Sequence, residues 1–345
     1  MKTVLGIDIS SMLNTNYYGS GAKPIKDTET QEEYKKRMLD LNLLHTSDGR
    51  FTNALSSTMR TIITLILEWR PDYIVTASDK SRKDIFRTKK YPLYKGNRSK
   101  TPCLLSEQKA YIVDCLRLFG IPIFDADGYE ADDIIYTVTK MFDDGNHNIK
   151  LVTKDHDYWQ LANKNVTIWM PQNSKEIASS LRNEFNLPPI SPNTPLSVSK
   201  MVPFGPNEVL KKSGVFPEMI PDLKGITGDS SDNIPGVKGV ASAAAPMLMY
   251  WGTIEEIYKA LEKNETDFKN ICKTDLGIKK DQSGALKSDK YSAILSKELA
   301  TMVEVPCIKE LNKEAFIPNY NIEGIKAAVA KYELKSILGD AIRIL

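Results

Sequence analysis

Nine acidic residues in this chain stand where carboxylates can act jointly on a substrate. Asp8 closes the apolar run "TVLGIDI" (3–9), and Asp79 follows "YIVTAS" (73–78). Glu130, Asp132 and Asp133 open "EADDIIYTVTKMF" (130–142), and Asp155 and Asp157 follow "IKLVT" (149–153). Asp229 and Asp232 stand three apart in "GDSSDNIPGV" (228–237). Each has a bland reading as a turn residue, a helix cap or an acid favouring a helix dipole. Several carboxylates on one edge repel, however, unless a cation compensates them. Hard divalent cations with oxygen ligands are the usual compensation. Three dispersed histidines (His45, His147, His156) and four cysteines without a CxxC pair supply no competing ligand set. Spacing places Asp155 and Asp157 on one face of extended chain, and Asp229 and Asp232 on one helical face. Within 130–133, helix geometry pairs Glu130 with Asp133 and turns Asp132 away, so spacing leaves the ligand set open.

The elements that must gather these acids alternate through the first half of the chain. Strands are expected at 3–9, 73–78, 121–126, 149–153 and 166–170. Helices are expected at 53–69, at 106–119 with Ser106 as N-cap, and at 130–142. The alternation implies an α/β fold with a mostly parallel central sheet flanked by helices. The carboxyl ends of such strands share one edge, where ligands bind, so the acids converge there. Seven prolines with many Ser and Asn residues make 171–206 read as an irregular insertion or linker. Beyond it only helical patterns follow, at 252–263, 290–303 and 322–338.

With 345 residues and 41% hydrophobic composition the chain can bury a sizeable core. No apolar stretch approaches the roughly 18 residues that span a bilayer, and Asp8 interrupts the first apolar run, so neither membrane span nor signal peptide is expected. A cytoplasmic protein is the expectation. The net charge of +2 does not announce a nucleic-acid partner, but residues 80–100 hold nine Lys or Arg against the single acid Asp84. Phe86, Tyr91 and Tyr94 interleave with that charge, a combination suited to tracking phosphates while rings stack on bases or pack inward.

These residues together resemble the flap-endonuclease, or 5′-nuclease, superfamily, as in the 5′-nuclease domain of bacterial DNA polymerase I and free-standing bacteriophage 5′-nucleases. "GRFTNA" (49–54), "FRTKKYPLYKGNR" (86–98), "GYEADDII" (128–135), "VTKDHDYWQL" (152–161) and "GVFPEMIPDLKGITGDSSDNIPGVKGV" (214–240) carry the likeness, in family order. The resemblance implies a catalytic α/β domain over 1–205, with a helical arch around 80–110. It implies a helical DNA-binding domain over 206–345, with a helix-three-turn-helix hairpin around 225–250. It further implies two Mg²⁺ sites, which Mn²⁺ can also fill. Asp8, Asp79, Glu130 and Asp132 surround the first, with Asp133 nearby; Asp155, Asp157, Asp229 and Asp232 surround the second. Lys95, Arg98 and Arg87 face the scissile phosphate. Lys89, Lys90, Tyr94, Gly236, Lys238, Gly239 and Ser242 contact DNA, with a K⁺ at the hairpin. The implied activity is metal-dependent 5′-3′ exonuclease and flap-endonuclease cleavage leaving a 5′-phosphate. Implied substrates are DNA with 5′ ends, flaps or nicks, and RNA in RNA–DNA hybrids. The protein is expected to be a monomer, in a bacterial cell or phage-infected host, with replication proteins as partners.

Four departures from the family pattern accompany the likeness. The spacing from Asp79 to Phe86 is one residue long, 11–48 exceeds the usual connection, and 171–206 is inserted. In "GVASAAAP" (239–246) Ala241 replaces a glycine, and Ala243 and Ala244 replace Lys-Thr, so a weaker duplex grip is expected there. Phosphate contact then falls to backbone N–H groups and Lys238, with Ser242 as N-cap and Pro246 in the first helical turn. A non-catalytic branched-DNA binder and a PIN-type ribonuclease are the alternatives. Retention of all nine acids disfavours the first, and the basic run with the hairpin entry disfavours the second.

Overall fold

A computed structural model describes residues 1–80 and 84–345; Ser81, Arg82 and Lys83 of the basic run lie outside the described residues. The chain begins β1 (Lys2–Asp8), α1 (Ile9–Gly19), α2 (Gln31–Leu39), α3 (Asn53–Trp69), β2 (Tyr73–Ala77) and a short α4 (Phe86–Lys90). It continues α5 (Cys103–Phe119), β3 (Ile123–Phe124), α6 (Ala131–Phe142), β4 (His147–Val152) and β5 (Val166–Pro171). Next come α7 (Lys175–Glu184), α8 (Leu196–Ser199) and β6 (Met201–Phe204). From there the chain is helical: α9 (Pro206–Ser213), α10 (Ile220–Thr227), α11 (Ala241–Trp251), α12 (Ile254–Lys263) and α13 (Glu265–Thr274). The last helices are α14 (Ser283–Ser288), α15 (Lys290–Ala300), α16 (Pro306–Lys309), α17 (Ile322–Lys331) and α18 (Leu338–Ile342).

The six strands order as β3-β2-β1-β4-β5-β6; the first five are parallel and β6 is antiparallel to β5. Central β1 alternates its side chains as a strand must. Leu5 and Ile7 join the core under α1, α3 and α5, whereas Val4 joins the core under α6 and the helical half. The long helix α3 forms because Leu55, Met59, Ile62 and Ile66 recur along one buried face, and Arg70 at φ 42 ends it. The C-terminal helix α17 returns to α5, burying Ile325, Ala328 and Val329 in the same core as Leu116 and Phe119. No described helix is long and apolar enough to cross a membrane.

Several expectations require correction. The stretch 171–206 is not irregular: it folds as α7, α8 and the edge strand β6, where Pro203 is tolerated because an edge position needs fewer ladder donors. Ser106 is not an N-cap, since α5 begins at Cys103 behind Pro102. Helix 322–338 breaks after Lys331. Among its described residues, the arch stretch expected around 80–110 holds short α4, turns that lie against the 229–234 loop, and the start of α5. Lys95 N–H donates to the Asp232 carbonyl (2.8 Å), Asn97 to the Ser230 carbonyl (2.6 Å), and Asn233 to the Leu93 carbonyl (2.7 Å).

Candidate active site

The strand ends deliver their acids to one edge. A cavity of about 560 Å³ is walled by Asp8, Asp79, Glu130, Asp132, Asp155 and Asp229, together with Lys95, Arg98 and Lys224. Asp8 leaves β1 and caps α1, accepting from Ser11 N–H (2.9 Å) and from the Thr153 hydroxyl (3.1 Å). Burial pushes its carboxyl up to about 7, reinforced by the charges of Asp79 and Asp155. Asp79 accepts from the Ser10 hydroxyl (2.7 Å) and Ala131 N–H (2.9 Å). Burial would raise its pKa, but Lys109 and those donors hold it below the usual range. Asp132 is driven well above that range by burial and by the adjacent charges of Asp133 and Glu130. Burial also raises Asp155.

The remaining acids are already neutralised. Asp229 accepts from Ser231 N–H (2.8 Å) and pairs with Lys224 (2.6 Å). Those partners outweigh burial and lower its pKa to about 2. Asp157, which is not on the cavity wall, also contacts the Lys224 ammonium. Asp232 lies behind Lys95 (3.4 Å) and Arg98, and accepts from the Tyr94 hydroxyl (3.1 Å). The loop presenting both acids depends on two glycines in the left-handed region. Gly228 (φ 69) and Gly236 (φ 64) pack so closely that a Cβ on Gly236 would lie 2.2 Å from the Gly228 nitrogen.

Three residues expected at the first metal, the phosphate or DNA are placed off the cavity. Arg87 does not face the cavity; it is 2% exposed. Its guanidinium donates to Glu130 (3.0 Å), twice to Asp133 (2.7 and 2.8 Å), and to the carbonyls of Leu299 and Thr301 (2.8 and 2.9 Å). A planar fork with five donors suits this task, and it ties α4, α6 and the end of α15 together. Asp133 is accordingly fully buried as the partner of Arg87 and is off the wall. Tyr94 is packed inward, 5% exposed, donating to Glu130 (3.0 Å) and Asp232, so its ring is no stacking platform.

The hairpin differs as well. Gly236 is buried and its N–H donates to the Ser296 hydroxyl (2.9 Å), while Lys238 N–H donates to Asp289 (3.1 Å). Neither amide is free for a phosphate. Helix α11 starts at Ala241 with Val240 as its uncapped N-cap, so Ser242 is a helical residue and Pro246 sits inside the helix, past the first turn. Ala243 and Ala244 are buried, which accounts for their small size. Exposed at this end are Lys238, Gly239 and Ser242, and at the α4 end Lys89 and Lys90, the latter paired with Glu298.

Lys224, Lys280 and Tyr158 went unread in the sequence. Nothing in the spacing of Lys224 shows that it bridges Asp157 and Asp229. Lys280 arrives from a distant loop, its ammonium 3.5 Å from where a Cβ on Gly239 would stand. The Tyr158 hydroxyl is buried without a hydrogen-bond partner among the described residues, near Asp8, Asp132, Asp155 and Asp79, whose charges add to burial in raising its pKa. Buried polar atoms are normally satisfied, so this one points to something held among the acids.

The donor set suits a hard cation. Asp8, Asp132 and Asp155 have no ion pair among the described residues, and carboxylate oxygens dominate the wall, with His156 the one imidazole among its described residues. Among the described residues no three acidic, His or Cys side chains are already drawn together as a cage. The reason is visible in the pairings: Lys95 sits between Glu130 and Asp232, and Lys224 between Asp157 and Asp229.

Comparison with known proteins agrees with this geometry. Residues 3–186 match the family described as 5′-3′ exonuclease, N-terminal resolvase-like domain, and 215–318 match 5′-3′ exonuclease, C-terminal SAM fold. The 5′-3′ exonuclease of Aquifex aeolicus is 30% identical over 303 residues, covering 87% of this chain and 89% of that protein. DNA polymerase I of Caldicellulosiruptor bescii is 31% identical over 297 residues, 86% of this chain; the chain spans only 31% of that polymerase. Among solved structures, T5 5′-exonuclease with bound zinc shares the fold at TM-score 0.58 and 17% identity, covering 99% of each chain. The catalytic core of Rad2 in complex with a DNA substrate shares it at TM-score 0.53 and 12% identity, covering 100% of this chain and 93% of that one. With both halves matched in order, the chain belongs to the 5′-3′ exonuclease family.

Proposed function

We propose that this chain hydrolyses DNA phosphodiesters at 5′ ends, flaps and nicks, and RNA in RNA–DNA hybrids, using two Mg²⁺ ions that Mn²⁺ can replace. Residues 1–205 carry the chemistry and 206–345 grip the duplex, with K⁺ at the hairpin turn. The observation that carries this reading is that Asp8, Asp132 and Asp155 face one cavity without an ion pair among the described residues, Asp8 buried and Asp132 half-buried. Leaving such charges uncompensated is costly, and a divalent ion removes the cost. Asp8, Asp79, Glu130 and Asp132 hold the first ion. Asp155, Asp157, Asp229 and Asp232 are the second set, reached once Lys224 swings aside.

Bound divalent ions supply a Lewis acid that acidifies water and offsets charge developing on the phosphate. The chain's own groups do the rest. The Lys95 ammonium stays charged because Glu130 and Asp232 outweigh its burial, and with Arg98 it is placed to clamp the phosphate. Arg87 and Asp133 act indirectly, by fixing the α6 terminus from which Glu130 and Asp132 project.

Labelled 5′-flap, nicked, blunt and single-stranded substrates with Mg²⁺ test the reading against Asp157→Asn and Asp229→Asn. Wild type should cut flaps and 5′ ends, and the variants should be slowed. Equal cleavage by all three proteins, or none by wild type in Mg²⁺ or Mn²⁺, refutes it.

A further inference from the structure

Tyr158 supplies a buried hydroxyl that no described residue satisfies. The chain places it between Asp157 and Trp159 on the short 3-10 turn His156–Leu161, which Asp155 caps by accepting from Asp157 N–H (2.9 Å). This turn is pinned on two sides. Trp159 is stacked between His156 and Phe204, with ring centroids 4.2 and 5.3 Å away, and its indole N–H donates to the Met170 sulfur (3.0 Å). Gln160 donates to the Ala300 carbonyl (3.2 Å) and accepts from Met302 N–H (3.1 Å). Tyr158 therefore cannot re-aim its ring, which is 1% exposed and lies in the same core as Ala77, Ala131 and Leu151.

The charges that act on this hydroxyl are those of Asp8, Asp132, Asp155 and Asp79. They come from the end of β1, the start of α6, the turn after β4 and the residues just past β2. A phenol is a neutral donor at working pH and a carboxylate only accepts, so the two are chemically matched. They are not in direct contact, since the hydroxyl has no acid within hydrogen-bond distance among the described residues. Matched polar groups that stand apart are bridged by ordered water where the space is enclosed and two or more polar partners converge. Here one donor meets several acceptors. A water accepting from Tyr158 has two protons left, one for each of two carboxylates. Asp8 and Asp132, both without an ion pair among the described residues, act on the hydroxyl more strongly than the other two acids.

We propose that Tyr158 is a positioning residue of the first ion site, its hydroxyl donating to an ordered water that in turn donates to Asp8 and Asp132. The proposal rests on the nuclease reading above and names a group that tunes its ion affinity. One water fixing two carboxylates limits their rotation, so less order is lost when an ion binds them. Outer partners of this kind commonly carry about 10–100-fold in metal affinity. Tyr158 and Asp157 thus share a turn but serve different groups: Asp157 meets Lys224, while Tyr158 reaches the unpaired acids.

The test uses the full chain, wild type against Tyr158→Phe, with Tyr17→Phe as the control. Tyr17 shares a buried hydrogen bond with Tyr34 (2.7 Å) in the core that holds Leu5 and Ile7, so the control loses a phenol hydroxyl away from the acids. Mn²⁺ affinity is read by electron paramagnetic resonance, stability by melting in EDTA and in Mg²⁺, and flap cleavage against Mg²⁺ concentration. Tyr158→Phe should weaken the tight Mn²⁺ site and raise the half-saturating Mg²⁺ concentration, each by about tenfold, with the rate at saturating Mg²⁺ within about threefold of wild type. In EDTA it should melt no lower than Tyr17→Phe, whereas its gain on adding Mg²⁺ should be the smaller. A crystal structure of wild type with Mn²⁺ should show a water within hydrogen-bond distance of the Tyr158 hydroxyl. Mn²⁺ affinity within about twofold of wild type, or an equal loss in Tyr17→Phe, overturns the proposal. So does a hydroxyl that meets a carboxylate directly, or stays unpartnered, in that crystal. Those failures leave the nuclease reading standing. A wild type that neither binds Mn²⁺ nor cuts refutes that reading, and this proposal with it.

Discussion

Two groups of carboxylates share one edge of the sheet and live under opposite electrostatic conditions. Asp8 is buried and Asp132 half-buried, neither has an ion pair among the described residues, and their pKa values rise. Asp229 and Asp232 are held by Lys224, Lys95 and Arg98, and their pKa values fall. The first group needs a cation; the second has borrowed cations from its own chain. Asp8 and Asp132 have no lysine or arginine within ion-pair distance among the described residues, whereas the 228–237 loop closes over α10 and the turns after α4, which carry lysines and an arginine. Ion binding should therefore be tight at the first group and competitive at the second.

Asp132→Asn should break the contrast most strongly. Loss of one first-group ligand should cut flap cleavage by roughly 10³-fold or more, the equivalent of several kcal/mol of charge stabilisation. The same variant should melt higher than wild type in EDTA at pH 8, because an uncompensated charge is gone. Single-turnover cleavage and thermal melts check both halves. Arg87→Met comes next. Removing one partner of a buried pair costs about 3–5 kcal/mol, read by urea unfolding, whereas breaking exposed Lys35–Glu107 should cost less than about 1 kcal/mol.

The pH dependence follows from Asp8. Its folded pKa of about 7 exceeds the ordinary 3.8, so the folded chain binds that proton more tightly than the unfolded chain does. The proton's contribution is full at low pH and is lost as pH rises from about 4 through 7, a change on the order of 4 kcal/mol. Asp132 and Asp155 act in the same direction. Melting temperature in EDTA should thus fall from pH 5 to pH 8, and saturating Mg²⁺ should restore it; a flat profile contradicts the assignment. The smallest effect belongs to Lys224→Met. Freed of its internal competitor, the second group should bind Mn²⁺ about fivefold more tightly, near 1 kcal/mol, as read by calorimetry.

Much of this was legible because it depends on local patterns. The α3 span 53–69 follows from its apolar period, and the acids at strand ends follow from parallel topology. What escaped depends on distant partners. Arg87 stands in a basic run that reads as phosphate-facing, yet its partners Leu299 and Thr301 lie more than 200 residues away. Tyr94 turns inward for acids on two other elements. Strand β6 is four residues long with a central proline in a proline-rich stretch, and only its neighbour β5 makes it a strand. Ser242 resembles a cap by type, but Val240 already occupies the cap position, one turn of chemistry that residue identity alone does not reveal.

The central claim is that the first group of carboxylates, and not the second, is the tight ion site. Mn²⁺ titration at pH 8, with free Mn²⁺ followed by electron paramagnetic resonance, tests it most directly on wild type, Asp132→Asn and Asp229→Asn. The expected result is a tight site in wild type that persists in Asp229→Asn and disappears in Asp132→Asn. A tight site lost in Asp229→Asn but kept in Asp132→Asn would contradict it.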